Sequence, residues 1–171
     1  MRLRRPSAVL RPGRLPAEIR DALPLERGER PLAVAATRGG SYVVATSTAL
    51  HLPTTSGGFH RLPWERIDQA SWQDGHLHVQ TTGGGADYRV RLPDPGSVPE
   101  TVRERVTATI VVSRNARLPG GGSVRIAGRR PPGGGDVRWS LVFEAGLDPS
   151  DPGLRAQAEQ ILEDLRRQTG L

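Results

Sequence analysis

Between residues 32 and 92 the chain places apolar side chains at alternate positions in short runs, each closed by glycine, proline or an Asp-Gly pair. Period-two alternation marks a strand with one face against a core, and connections this short leave no room for the crossover that parallel pairing needs. Neighbouring runs must therefore pair as an antiparallel meander. Leu32, Val34 and Ala36 alternate in the first run. Gly39-Gly40 turns the chain into 42–46, and 49–52 follows. The piece at 57–63 ends on Pro63, which confines it to a sheet edge or a strand end. Runs 67–73 and 76–82 flank Asp74-Gly75, a dipeptide suited to the two positive φ angles of a type I′ hairpin. Gly83-Gly84-Gly85 leads to 87–92, where Tyr88, Val90 and Leu92 face inward.

Beyond residue 92 the period lengthens. Ser97-Val98-Pro99-Glu100 is a capping box, and Val98, Val102, Val106 and Ile110 then recur every fourth residue, one stripe of a helix laid on the sheet. Residues 107–112 are dense in β-branched side chains and read equally as the end of that helix or as a strand. Two more runs, 123–130 and 136–144, flank Pro131-Pro132-Gly133-Gly134-Gly135, with Val137, Trp139, Leu141 and Phe143 on one face of the second. Asp151 caps a last helix that has Pro152 in its first turn, buries Leu154, Ala158, Ile161, Leu162 and Leu165, and stops before Gly170. Near the start, Leu15, Ile19, Ala22 and Leu23 share one face of a short docking helix. The expected class is α+β, mainly antiparallel β.

Tyr42-Val43-Val44-Ala45-Thr46 with Ala49-Leu50-His51-Leu52, then Leu62-Pro63-Trp64-Glu65-Arg66-Ile67, Asp74-Gly75-His76-Leu77-His78-Val79 and Tyr88-Arg89-Val90-Arg91-Leu92, together resemble bacterial PH-like and GRAM-like domains. The resemblance covers about half the chain, residues 32–112, and the composition is similar to that of actinobacterial proteins. It implies a PH-like β-barrel of about seven strands with a capping helix; residues 113–171 lie outside the resemblance and read as a C-terminal ββα extension. On this reading residues 1–15 are a basic flexible arm, 16–112 the barrel core and 113–171 an annex packed on it. Such barrels serve lipids, peptides and proteins alike, so the resemblance implies a binding module and no chemistry.

What the chain lacks narrows its function. With no cysteine it has no disulfide, no thiolate zinc site and no cysteine nucleophile. All 24 basic residues are arginine, which excludes P-loop, Schiff-base and kinase-type lysines. No serine lies in a Gly-x-Ser-x-Gly elbow. The glycine triplets beginning at Gly83, Gly120 and Gly133 do not join a strand to a helix start, as a phosphate cradle would, and read as turns. His51, His76 and His78 are expected on solvated strand faces without a carboxylate to complete a metal site. No catalytic residue, cofactor or metal is expected. No run of about 18 apolar residues occurs, so no transmembrane segment is expected and the chain reads as cytoplasmic.

Charge carries the functional signal. The net charge of +6 is concentrated in residues 1–14, with five arginines and no acid, and in 114–138, with six arginines and one aspartate. An arginine-rich segment suits an anionic partner. Trp72 and Trp139 read as core, whereas Trp64, between Pro63 and Glu65-Arg66, reads as a surface contact. The candidate binding residues are Arg2, Arg4, Arg5, Arg11, Arg14, Trp64, Arg66, Arg129 and Arg130. The expected function is a non-catalytic PH-like interaction module binding a protein partner. The alternative is a nucleic-acid or ribosome-associated accessory protein using segments 1–14 and 114–138, and peripheral membrane contact is a third reading.

Overall fold

The alternating runs become strands with boundaries close to those the pattern sets. A computed structural model describes residues 15–171. Helix α1 (Ala17–Ala22) precedes β1 (Pro31–Ala36), β2 (Tyr42–Thr46), β3 (Ala49–Pro53) and β4 (Phe59–Pro63), which pair consecutively and antiparallel in a four-stranded sheet. A 3-10 turn at Trp64–Arg66 leads to β5 (Ile67–Gln73), β6 (His76–Thr81) and β7 (Asp87–Arg91), an antiparallel three-stranded sheet, and α2 (Val98–Ala108) follows. The β5–β6 hairpin turns at Asp74 (φ 51°) and Gly75 (φ 74°), two left-handed residues whose twist matches the flanking strands. Asp74 is the one non-glycine residue with positive φ among the described residues.

The core of this unit gathers both sheets and α2. Val43, Leu50, Leu52, Trp64, Ile67, Leu77, Val79, Leu92, Val98 and Val102 are all at most 2% exposed. Each such aliphatic side chain contributes about 1.5–3 kcal/mol by leaving water. The backbone pairing stops at four strands plus three, and no closed barrel forms among the described residues. Within this unit α1 and its flanks cover the other face of the four-stranded sheet, where Leu15, Leu23, Val34 and Val44 are buried with Ile19, Tyr42 and Phe59 against them. Ala22, expected on the docking face of α1, is exposed.

That second layer corrects the reading of β1. Ala33 and Ala35 enter the main core and Val34 lies in the α1 cluster, whereas Leu32 is only half-buried and Ala36 is exposed. A strand covered on both faces has no polar side to mark its register, so alternation alone chose the wrong set.

The second compact unit begins at Thr109. The ambiguous stretch 107–112 divides there: α2 ends at Ala108 and β8 (Ile110–Arg117) begins two residues later. Ile110, read as the last residue of the α2 stripe, instead opens this strand and is exposed. With β9 (Ser123–Arg129) and β10 (Arg138–Phe143) it forms a sheet in the order β10-β9-β8, one strand more than the two the sequence marks. Helix α3 (Pro152–Thr169) packs Ala158, Leu162 and Leu165 with Leu118, Val124 and Ile126. Asp151 Oδ1 accepts the amides of Gly153 (2.8 Å) and Leu154 (3.1 Å), and Gly170 ends the helix at φ 69°. No described helix is long and apolar enough to cross a membrane.

Candidate functional site

Strand alternation puts Ala70 and Trp72 on the core-facing side of β5, opposite Val79 and Leu77 of β6. Among the described residues β5 has β6 as its one strand neighbour, so on its other side the backbone edge stands unpaired beside α2. Trp72 lies near the end of this edge strand, where few neighbours cover a ring of its size, and it remains 38% exposed. Together Ala70, Ser71, Trp72 and Leu77 with Pro99, Glu100 and Arg103 of α2 line a groove of about 560 Å³. Its floor is apolar. Its helical wall carries Glu100 and Arg103 a single turn apart, opposite charges within reach of each other and at the margin of the groove.

No protein-family model, curated protein or solved structure matches this chain. Its functional reading therefore rests on the groove and on the placement of its charged and aromatic residues.

A second cluster of chemistry-bearing residues is closed to solvent. Glu29, in the loop before β1, accepts the Nε2–H of His51 at 2.8 Å and the hydroxyl of Thr46 on Oε1; its Oε2 accepts the Glu26 amide at 2.9 Å and Arg61 Nε–H at 3.1 Å. Arg61 Nη2 also donates to Thr48 Oγ1 and pairs with the Glu26 carboxylate, both at 3.1 Å. Burial by itself raises the pKa of Glu29, but the bonds from the Glu26 amide, Thr46, His51 and Arg61 outweigh it and hold the carboxyl at about 2. Burial dominates at His51 and lowers its pKa, with Glu29 opposing. The neutral ring with Nε2–H fits this site, because Nδ1 is buried without a partner among the described residues and a second proton there would be an unsatisfied donor. This corrects the expectation of a solvated His51. With neither the Glu29 nor the His51 side chain exposed, the cluster braces the segment before β1 rather than presenting groups to a ligand.

The sequence-predicted binding residues do not converge. Arg2, Arg4, Arg5, Arg11 and Arg14 lie outside the described residues. Trp64, read as a surface contact, is fully buried and donates Nε1–H to the Thr46 carbonyl at 3.0 Å. Trp64 opens the 3-10 turn with its ring in the core, which corrects that expectation, while Arg66 two residues on is exposed. Arg129 is 1% exposed and donates Nη1–H to Thr109 Oγ1 at 3.0 Å; Arg130 is half-buried, with its amide on the Thr109 carbonyl. Sequence pattern does not mark the groove residues as a site, although the Asp74-Gly75 hairpin and the Val98 helix start already place β5 and α2. The pattern carries no sign that β5 ends the sheet.

Proposed function

We propose that this chain is a non-catalytic PH-like interaction module whose partner is a protein segment that adds to β5 in extended form. The carrying observation is the open β5 edge running beside α2 with Trp72 exposed between them. An unpaired edge offers a row of backbone donors and acceptors, which an incoming strand satisfies, and adjacent pockets select its alternate side chains. Trp72 supplies a large, rigid apolar contact of the kind that dominates interface energy. Four strands, three strands and a following helix are also the element count that a PH-like domain brings, which supports the family reading.

Selection from a displayed library of random extended peptides tests this. Selected peptides are expected to carry an apolar side chain for Trp72, to protect the β5 amides from hydrogen exchange, and to lose about 2 kcal/mol of binding to Trp72→Ala. Peptides that bind this variant as well as the parent, or that protect amides away from β5, overturn the reading.

A further inference from the structure

We propose that the outer face of the β5–β6–β7 sheet, the side turned away from the core, binds single-stranded nucleic acid. The cross-strand register lines up three rows on this face: Gln69, Gln80 and Asp87; Ser71, His78 and Arg89; Gln73, His76 and Arg91. All nine positions are polar, whereas the opposite face carries Leu77, Val79, Tyr88 and Val90 into the core. Covering the core requires only that these side chains tolerate water, which cross-strand pairs of opposite charge would also do. Instead, His76 stands directly opposite Arg91 and His78 opposite Arg89, pairings that bring no opposite charge to either guanidinium. Arg89 and Arg91 are exposed, and neither has a hydrogen-bond or ion-pair partner among the described residues.

The arrangement matches the parts of a nucleotide strand. Arg89 and Arg91 are two residues apart on one strand, a rise of roughly 7 Å, comparable to the step between successive phosphates of an extended single strand. Beside them Gln69, Ser71, Gln73, His78, Gln80 and Asp87 border a shallow recess of about 190 Å³, offering amide, hydroxyl, imidazole and carboxylate groups to the edges of an unstacked base. The His76 and His78 rings lie 6.2 Å apart, tilted 57° to each other and half-exposed, each on the residue opposite one of these arginines. His76 Nδ1–H donates to the Asp74 carbonyl at 2.9 Å, which holds its ring in place over the hairpin. The major groove of a B-form duplex admits a helix or a two-stranded ribbon, whereas this face is three strands wide. An anionic membrane would need no such recess and would favour apolar residues for insertion, and this face has none.

Fluorescence anisotropy of the full chain with a labelled oligouridylate, across a salt series, tests the proposal. The parent is expected to bind, with affinity falling as salt rises. Arg89→Gln with Arg91→Gln should weaken binding about tenfold and flatten the salt slope by about 1.4, or about 0.7 for each phosphate left without its arginine. Arg38→Gln, an exposed arginine in the β1–β2 turn, should leave both unchanged. Thermal melts of the variants should coincide with the parent, since the replaced side chains are solvated. The proposal is overturned if the parent does not bind the oligonucleotide, or if the double variant binds it as the parent does, which would place binding on other basic segments. It is equally overturned if the double variant loses only its sedimentation with phosphatidylserine vesicles, which would make the face a lipid surface.

Discussion

The carboxylate of Glu29 and the imidazole of His51, 22 residues apart in the chain, meet at 2.8 Å with neither side chain exposed to solvent. A buried carboxylate is tolerated because every lone pair that burial would strand is engaged, here by a ring N–H, a hydroxyl, an amide and a guanidinium. The pair ties the loop before β1 to the middle of β3, beside the layer that α1 lays on the sheet.

Glu29→Ala should therefore cost about 3–5 kcal/mol at neutral pH, since it leaves Arg61 and His51 facing a vacated carboxylate position. Glu26→Ala, whose side chain is 67% exposed, should cost under about 1 kcal/mol although it also removes an ion pair to Arg61. Urea denaturation midpoints of the two variants against the parent measure the contrast.

Acid should destabilise the first unit in two stages. His51 has its folded pKa lowered from 6.5, so the stability it contributes is complete above about 6.5 and declines as pH falls below that value. Glu29 has its folded pKa lowered from 4.5 to about 2, so its contribution of about 3 kcal/mol is complete above about 4.5 and is lost as pH falls from there toward 2. Denaturant titrations between pH 8 and 3 should show the loss beginning near 6.5 in the parent, with the first stage absent from His51→Phe.

Gly128 is held to its residue type by space. A methyl there would meet Val112 Cγ1 at 2.9 Å, Val137 Cγ1 at 3.0 Å and Trp139 Cζ3 at 3.2 Å. Gly128→Ala should cost about 1–3 kcal/mol through overpacking. Gly133→Ala, where nothing lies within 4 Å and φ is not positive, should leave stability unchanged or raise it by about 0.4–1 kcal/mol. Melting temperatures of the two variants should move in opposite directions or differ clearly in size.

Within β10, Trp139 and Leu141 pack on the α3 core and the Arg166 guanidinium lies 5.5 Å over the Trp139 ring, whereas Arg138 is exposed. Trp139→Ala and Leu141→Ala should each lose about 2–5 kcal/mol, and Arg138→Ala about 0.5 kcal/mol or less. Equal unfolding midpoints for the three would contradict this packing.

How much of this was legible depended on whether the signal was local. Strand positions, the Asp74-Gly75 turn, the helix start at Val98 and the Asp151 cap all follow from neighbours within a few residues, because backbone angles, capping bonds and period-two alternation are properties of short segments. The sequence by itself therefore determined the kinds of element, their order, the antiparallel pairing and the α+β class. Tertiary structure alone decided which side of β1 faces the core, that His51 is buried against Glu29, that Trp64 turns inward, and that β5 is an edge with Trp72 uncovered. Alternation records only a contrast between the two sides of a strand, and where α1 covers the second side that contrast vanishes. The same holds at an edge: exposure of Trp72 depends on the strand that is not beside it, and no residue of β5 encodes that vacancy.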